Sequence, residues 1–344
     1  MRIALVASPF IPVPPKEYGG TELFIADLAR GLKALGVDVT VYANGESTIE
    51  VKTRWLFANS EWPLKGDGYA QLKEIEHATW AIKEASDACD IVHVNTAMAI
   101  TCSRLSRLPF AYTIHHPTER RLSELYLRMP EVHYVCISND QRKRESLPNI
   151  PIIHHGIDLS KYQLRIDKQQ YLSFIGRIAP IKGTHLAIEI AKRAGIPLKI
   201  AGEIQPIFRD YFEEKVRPHI DGKCVEYIGR ADLATKNELL GNSMAMLFPI
   251  QWNEPFGLVM VEAMACGTPV LALRAGSVPE IVKDGVSGYV SRRIDDLVRH
   301  ARDLHISPIE IRRYVEEHFS KERMAREYHA LYARMLSREL SHTA

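Results

Sequence analysis

One stretch limits the folds open to this chain: AMLFPIQWNEPFGLVMVEAMACGTPV, from Ala245 to Val270. Ala245 to Ile250 is an apolar run with the length of a buried parallel strand, and the turn after it leads into a helix. Strand, turn and helix in that order form the repeating unit of open α/β sheets, whose ligands gather outside the carboxyl ends of the strands. The turn carries one carboxylate, Glu254, and the helix a second, Glu262, eight residues on. Gly257 removes a Cβ where a ligand would approach the backbone, and the first N–H groups of the helix favour a phosphate or a sugar hydroxyl. A carboxylate beside them accepts hydrogen bonds from hydroxyls, which an N–H cannot do. The same residues also suit a helix cap with a solvated glutamate, so the rest of the chain must decide.

The unit recurs on both sides. Ile3 to Ala7 reads as a strand, a proline-rich loop ends in Gly19-Gly20, and Thr21 can cap a helix in which Ile25, Leu28, Leu32 and Leu35 form an apolar stripe before Gly36. Strands follow at Val37 to Ala43, Ile91 to Asn95, Phe110 to Ile114, Val132 to Ile137 and Ile150 to His154, with helices at Gln71 to Ala88, Ala97 to Leu105 and Thr118 to Arg128. His115 and His116 stand at the carboxyl end of one of these strands, and that position favours His115 for ligand contact.

After a polar stretch from Leu159 to Gln170 the pattern begins again. Tyr171 to Ile175 is a strand ending on Gly176-Arg177, and Lys182-Gly183 opens a helix with Leu186 and Ile190 inward and Gly195 at its end. Two cations flanking a strand-to-helix turn suit a diphosphate, the arginine through a forked contact and the lysine as a point charge; two solvated surface cations are the plainer alternative. Leu198 to Ala201 ends on Gly202-Glu203, Cys224 to Ile228 on Gly229-Arg230, and a helix runs from Asp232 to Leu240. Past a strand at Pro269 to Leu273, Ser277-Val278-Pro279-Glu280 has the form of a capping box, which makes Glu280 structural. Ser307-Pro308 caps another helix, and Met324, Tyr328, Leu331 and Met335 stripe the last.

Composition excludes several classes. The 344 residues suit two domains, and a formal charge of +2 gives no reason to expect nucleic acid as a partner. Five cysteines without C-x-x-C pairing suit reduced thiols rather than a disulfide framework or a zinc site. The N-terminal apolar run is broken by prolines before it reaches signal-peptide length, and no run has the length of a membrane span, so a soluble or at most peripheral protein is expected. The dinucleotide fingerprint, the Walker loop, the nucleophile elbow and the D-x-D metal motif are all missing from the sequence.

Taken in order, these features resemble the retaining glycosyltransferases of family 4. The resemblance spans essentially the full length. Its most specific part is Glu254-Pro255-Phe256-Gly257-Leu258 with Glu262, which is similar to the family's E-x7-E motif. The Gly-Gly-Thr-Glu turn, the His115 strand end, His155-Gly156-Ile157-Asp158 and the Arg177-to-Lys182 element follow the family order. The resemblance implies the GT-B architecture, an α/β fold of two facing Rossmann-like domains with a cleft between them. Residues 1–160 would form the acceptor side and 161–320 the nucleotide-sugar donor side, with a helix at 321–344 returning to the first domain.

It also implies roles. Arg177 and Lys182 would bind the donor diphosphate, Glu262 the ribose, and Glu254 with the amides of Phe256, Gly257 and Leu258 the sugar hydroxyls and phosphate. Gly20 would lie near the diphosphate and His115 near the transferred sugar. No metal or other cofactor is expected, and the donor is a UDP-glucose-like or GDP-mannose-like nucleotide sugar. The acceptor hydroxyl would belong to a small molecule, glycan or lipid. Departures from the family pattern are Arg274-Ala275-Gly276 where paired glycines are frequent, and His155 where asparagine is common.

A cytoplasmic location is expected, with contact at the inner membrane face through Arg120, Arg121, Arg128, Arg142, Lys143 and Arg144, although these also suit ordinary solvated helix faces. Trp252 can stack on a sugar or pack against its strand. A nucleotide-sugar epimerase or glycoside phosphorylase of the same fold, and a non-catalytic nucleotide-sugar-binding subunit, are the competing readings.

Overall fold

In a computed structural model of the chain, residues 1–342 are described except Tyr18, Pro63 and 65–67, with side chains through Ser337. The chain divides into two compact units, one of residues 1–156 with 321–344 and one of 157–320.

The first unit contains β1 (Arg2–Val6), α1 (Gly20–Ala34), β2 (Asp38–Ala43), β3 (Lys52–Trp55), α2 (Gly68–Ala88), β4 (Ile91–Val94), α3 (Ala97–Ile100), β5 (Phe110–Thr113), α4 (Arg120–Leu127), β6 (His133–Val135) and α5 (Asn139–Arg144). The second contains β7 (Gln169–Ile175), α6 (Thr184–Ala194), β8 (Leu198–Ala201), α7 (Arg209–Lys215), β9 (Val225–Tyr227), α8 (Leu233–Asn242), β10 (Ser243–Phe248), α9 (Leu258–Ala265), β11 (Val270–Leu273), α10 (Val278–Ile281), β12 (Gly288–Ser291), α11 (Ile294–Arg302) and α12 (Pro308–His318). The last helix, α13 (Lys321–His342), belongs to the first unit.

Each unit is built on a parallel six-stranded sheet, ordered β3-β2-β1-β4-β5-β6 in the first and β12-β11-β10-β7-β8-β9 in the second. Both faces of the first sheet are covered, as its strand sequences require. Ile3 and Leu5 of β1 enter a core shared with α1 and α13, while Ala4 and Val6 enter another shared with α2. The stripe on α13 is buried as its spacing predicts, and its approach to α1 is close: a Cβ on Gly31 would stand 2.6 Å from the Ala325 Cβ.

Local signals failed in identifiable places. Gly19 rather than Thr21 precedes the first residue of α1, and Leu35 is exposed, since the stripe ends with the helix. Residues 150–154 form only an isolated bridge, Cys136 to Ile152, instead of a strand. Leu186 is only partly buried. Ser277 makes no capping bond, because its hydroxyl donates to the Phe256 carbonyl at 2.9 Å, so the expected capping box does not form. The edge strands β3 and β12 carry no apolar run, and the sequence reading did not find them.

Candidate active site

In the second unit the strands β7, β8 and β9 each run into a glycine followed by a charged residue. Gly202 is required by crowding, for a Cβ there would lie 1.8 Å from the Gly176 carbonyl oxygen. The tight approach brings Arg177, Glu203 and Arg230 to neighbouring strand ends. Arg230 pairs with Glu203 at 2.8 Å, whereas the partly buried Arg177 reaches only the neutral amide oxygen of Gln205, at 3.5 Å. No ion pair among the described residues engages Arg177, so its charge stays available to an anion.

Lys182 is placed by Gly183, which takes a left-handed φ of 74° and would clash with the Pro249 carbonyl, 2.1 Å away, if it carried a Cβ. Gln251 donates its N–H to Ile181 at 2.8 Å, so the segment after β10 lies directly on the turn before α6. Lys182 Nζ thereby meets Glu254 Oε2 at 2.5 Å and stands 4.8 Å from the centre of the Trp252 ring. The Trp252 indole donates to the same Oε2 at 2.9 Å, a bond that neither of the uses considered for Trp252 includes. No hydrogen bond from the described residues reaches Glu254 Oε1.

Gly276 fixes the other side of that carboxylate. Its φ is 52°, and a Cβ would stand 2.4 Å from the Glu254 backbone nitrogen and oxygen. The single glycine of Arg274-Ala275-Gly276 thus occupies the position where close approach is needed. Gly257, with φ of 83°, precedes α9, whose first N–H groups have no partners within the helix. Phe256 is buried, while Gly257 and Leu258 are partly exposed.

Glu262, on α9, is buried and accepts from Tyr162 at 2.8 Å and from Lys236 at 2.9 Å. Neither partner was singled out in the sequence. Tyr162 lies in a polar stretch and Lys236 on a helix of ordinary composition, 100 and 26 residues away.

In the first unit Gly20 is the exposed first residue of α1, and His115 follows the end of β5. Asn95 donates through Nδ2 to the Val6 carbonyl, leaving its Oδ1 to accept from His115 Nε2 at 3.0 Å. His115 therefore carries its proton on Nε2, and Nδ1 is an acceptor. The Phe24 ring stands edge-on 4.8 Å away, and His155 stacks at 5.4 Å. Burial first, and then the neighbouring His155, His93 and His116, hold its pKa well below the usual histidine range. His116 is engaged by the Pro117 carbonyl and the Tyr126 hydroxyl, both at 2.7 Å.

Glu22, in the first turn of α1, is buried with its Oε2 only 2.8 Å from the position a Gly19 Cβ would take. Burial, followed by the charge of Glu74, pushes its pKa up to about 7 against its own backbone hydrogen bond. In the sequence Glu22 stands out only as the last residue of the Gly-Gly-Thr-Glu turn, since burial of a carboxylate leaves no local trace there. Among the described residues no group of three His, Cys, Asp or Glu side chains stands together as a metal site, and no helix is long and apolar enough to cross a membrane.

Two doubly wound parallel sheets, the second with cations and carboxylates at the carboxyl ends of its strands and the first with a histidine pair there, form the framework of a GT-B glycosyltransferase. Residues 18–161 match the model of Glycosyltransferase Family 4, and residues 157–319 that of glycosyl transferases group 1. The glycogen synthase of Mycobacterium tuberculosis is 31% identical, over 84% of this chain and 81% of its own. A glycosyltransferase involved in avilamycin A biosynthesis superposes with a TM-score of 0.76 at 26% identity, over 98% of each chain. HepE of Anabaena, solved with UDP-glucose, gives 0.75 at 17% identity over 97% of this chain and 99% of its own, a likeness of fold. The chain belongs to the family 4 glycosyltransferases of GT-B fold.

Proposed function

We propose that this glycosyltransferase is a retaining hexosyltransferase that moves a hexose from a nucleotide-diphosphate donor, UDP-glucose-like or GDP-mannose-like, to an acceptor hydroxyl on a small molecule, glycan or lipid. The observation that carries the reading is the Lys182–Glu254–Trp252 cluster. One carboxylate oxygen is fixed by two donors and the other is left to accept from a sugar hydroxyl, beside a cation suited to the leaving phosphate.

Arg177 and Lys182 bind the diphosphate, and the first amides of α9 share that charge. Glu262, with Lys236 and Tyr162 holding its oxygens, retains acceptor capacity for a ribose hydroxyl. His115, neutral and with Nδ1 accepting, takes a sugar hydroxyl, and Gly20 leaves space for the donor at the start of α1. The anomeric bond to the diphosphate breaks, the bond to the acceptor oxygen forms on the same face, and the acceptor proton passes to the departing phosphate oxygen. No metal takes part. Stabilising the leaving charge supplies most of the acceleration.

The protein acts in the cytoplasm. Arg120 pairs with Glu124 and Arg144 with Asp140, so the exposed Arg121, Arg128, Arg142 and Lys143 are the charges with which it would meet an anionic membrane face.

Thermal-shift measurement against UDP-, GDP-, ADP- and TDP-sugars, with and without Mg²⁺, tests the donor, since a ligand of the folded state raises Tm by mass action. One metal-independent stabiliser is expected, and NMR of the first-formed product should show the donor's anomeric configuration; inversion would end the retaining assignment. Lys182→Ala should lower kcat about 100-fold or more, and near-normal turnover would remove Lys182 from the clamp.

A further inference from the structure

The polar pair at the mouth of the first sheet is the upper of two. Asn95 and His115, just past the ends of β4 and β5 where the backbone ladder still continues, are bonded with a sequence offset of 20, and His93 and Thr113, two residues earlier and within the strands, are bonded with the same offset. Side chains two apart on a strand share a face, so these are successive rungs about 6.6 Å apart on one face of the sheet. The Phe24 ring touches both levels, 6.3 Å from His93 and 4.8 Å from His115.

The lower rung is fully buried and closed at both ends by the last helix. Tyr332 hydroxyl meets His93 Nδ1 at 2.7 Å, His93 Nε2 meets Thr113 Oγ1 at 2.9 Å, and Thr113 Oγ1 meets the Tyr328 hydroxyl at 2.7 Å. Tyr328 and Tyr332 lie four apart on α13 and so face the rung together. A buried histidine with a ring nitrogen left unpaired would be costly, so the three bonds stand or fall as a set. The upper rung has no such closure: His115 is only partly exposed, yet the one hydrogen bond of its ring described here goes to Asn95. Asn95 is tied down in turn, through Nδ2 to the Val6 carbonyl at 3.2 Å and to the His93 carbonyl at 3.5 Å.

We propose that α13 is a positioning element for the transfer reaction: Tyr328 and Tyr332 lock the lower rung, which fixes the diagonal offset of β4 and β5 and so holds His115 as the Nε2–H tautomer with Nδ1 free to accept. Tyr328 and Tyr332 act through their neighbours and need touch no substrate. The part that concerns turnover rests on the role proposed above for His115, whereas the tautomer claim does not.

Nitrogen-15 NMR of histidine-labelled full-length protein tests the proposal directly, with His115→Gln used to assign the His115 signals. Wild type should show His115 as a single Nε2–H tautomer near neutral pH. Tyr332→Phe and Tyr328→Phe, made separately, should each give mixed or exchange-broadened His115 signals and lower kcat about 10-fold, with donor KM within about twofold of wild type. An Nδ1–H tautomer in wild type, or unchanged His115 signals in a folded Phe variant, overturns the proposal. The wild-type spectrum decides even if one variant fails to fold. If His115→Gln keeps full turnover while the tautomer still follows the tyrosines, the reading of His115 as a substrate contact fails and the positioning relay stands.

Discussion

A buried carboxyl at the start of a helix sets two demands against each other at the level of the single residue. Glu22 benefits from the free amides of the α1 N-terminus, but its ionised form is poorly solvated there. Its folded pKa of about 7 lies above the usual value, so the native state holds the proton more tightly than the unfolded chain. That contribution is fully present below about pH 4.5 and is lost as pH rises through 7. Glu22→Gln removes the ionisation. It should raise stability at pH 8 by on the order of 3 kcal/mol, from a rise of about 2.5 in pKa worth about 1.4 kcal/mol per unit, and leave it nearly unchanged at pH 4. Chemical denaturation at the two pH values checks this, and equal effects at both would show that ionisation of Glu22 is not what the substitution relieves.

At the level of elements, the crossing of α1 and α13 depends on a missing side chain. A Cβ on Gly31 would meet the Ala325 Cβ at 2.6 Å and the Lys321 carbonyl at 3.0 Å, so the helices must separate to admit one. Gly31→Ala gains about 1 kcal/mol in helix propensity but overpacks the crossing, for an expected net loss of about 1 to 2 kcal/mol. Ala325→Gly in the same chain should recover part of it, and urea melts of the single and double variants decide. Gly68, with open space around its Cβ position, is the control. A stabilised Gly31→Ala variant would mean that α13 packs less closely than described.

Sequence legibility also separates at this scale. The buried strands β1, β8 and β10 and the stripe on α13 were readable because burial on a fixed face leaves a period in the sequence. β3, with exposed Lys52, Arg54 and Trp55, and β12, four residues that start on a glycine, leave none, whereas the other edge strands, β6 and β9, keep a readable apolar run. In the site, Arg177, Lys182, Glu254 and Glu262 could be picked out by their place after apolar runs. Lys236, Tyr162 and the tyrosines bonded to the lower rung could not, since only folding brings them near.

For the whole molecule, the distribution of buried histidines makes the two units unequal in acid. His77, His93 and His155 all belong to the first unit, and burial lowers their pKa values to about 4, 3 and 3. Their folded values lie below the unfolded value of about 6.5, so the stability they permit is complete above that pH and is lost as pH falls towards their folded values. Each contributes a slope of about 1.4 kcal/mol per pH unit over that window, opposed over part of it by Glu22. The first unit should therefore open before the second between about pH 6 and 4. Trp55, Trp62 and Trp80 report on the first unit and Trp252 on the second, so fluorescence of the wild type beside Trp252→Phe separates the transitions. Simultaneous loss of both signals would contradict this order.

The second unit begins and ends at one point, where Ile157 bridges to Ser320 and donates its N–H to Phe319 at 2.9 Å. It is thus a continuous length of chain closed on itself, while the first unit is assembled from two lengths, the second of them beginning at Lys321. A ribosome making this protein delivers the whole first sheet early but withholds Met324, Tyr328, Leu331, Tyr332 and Met335 until the second unit has been made. During that interval one face of the first sheet is covered by α1 without α13, although the unit made later already has every residue it needs. The domain begun first can be finished only after the one begun second, and the histidine layer at its mouth waits for α13.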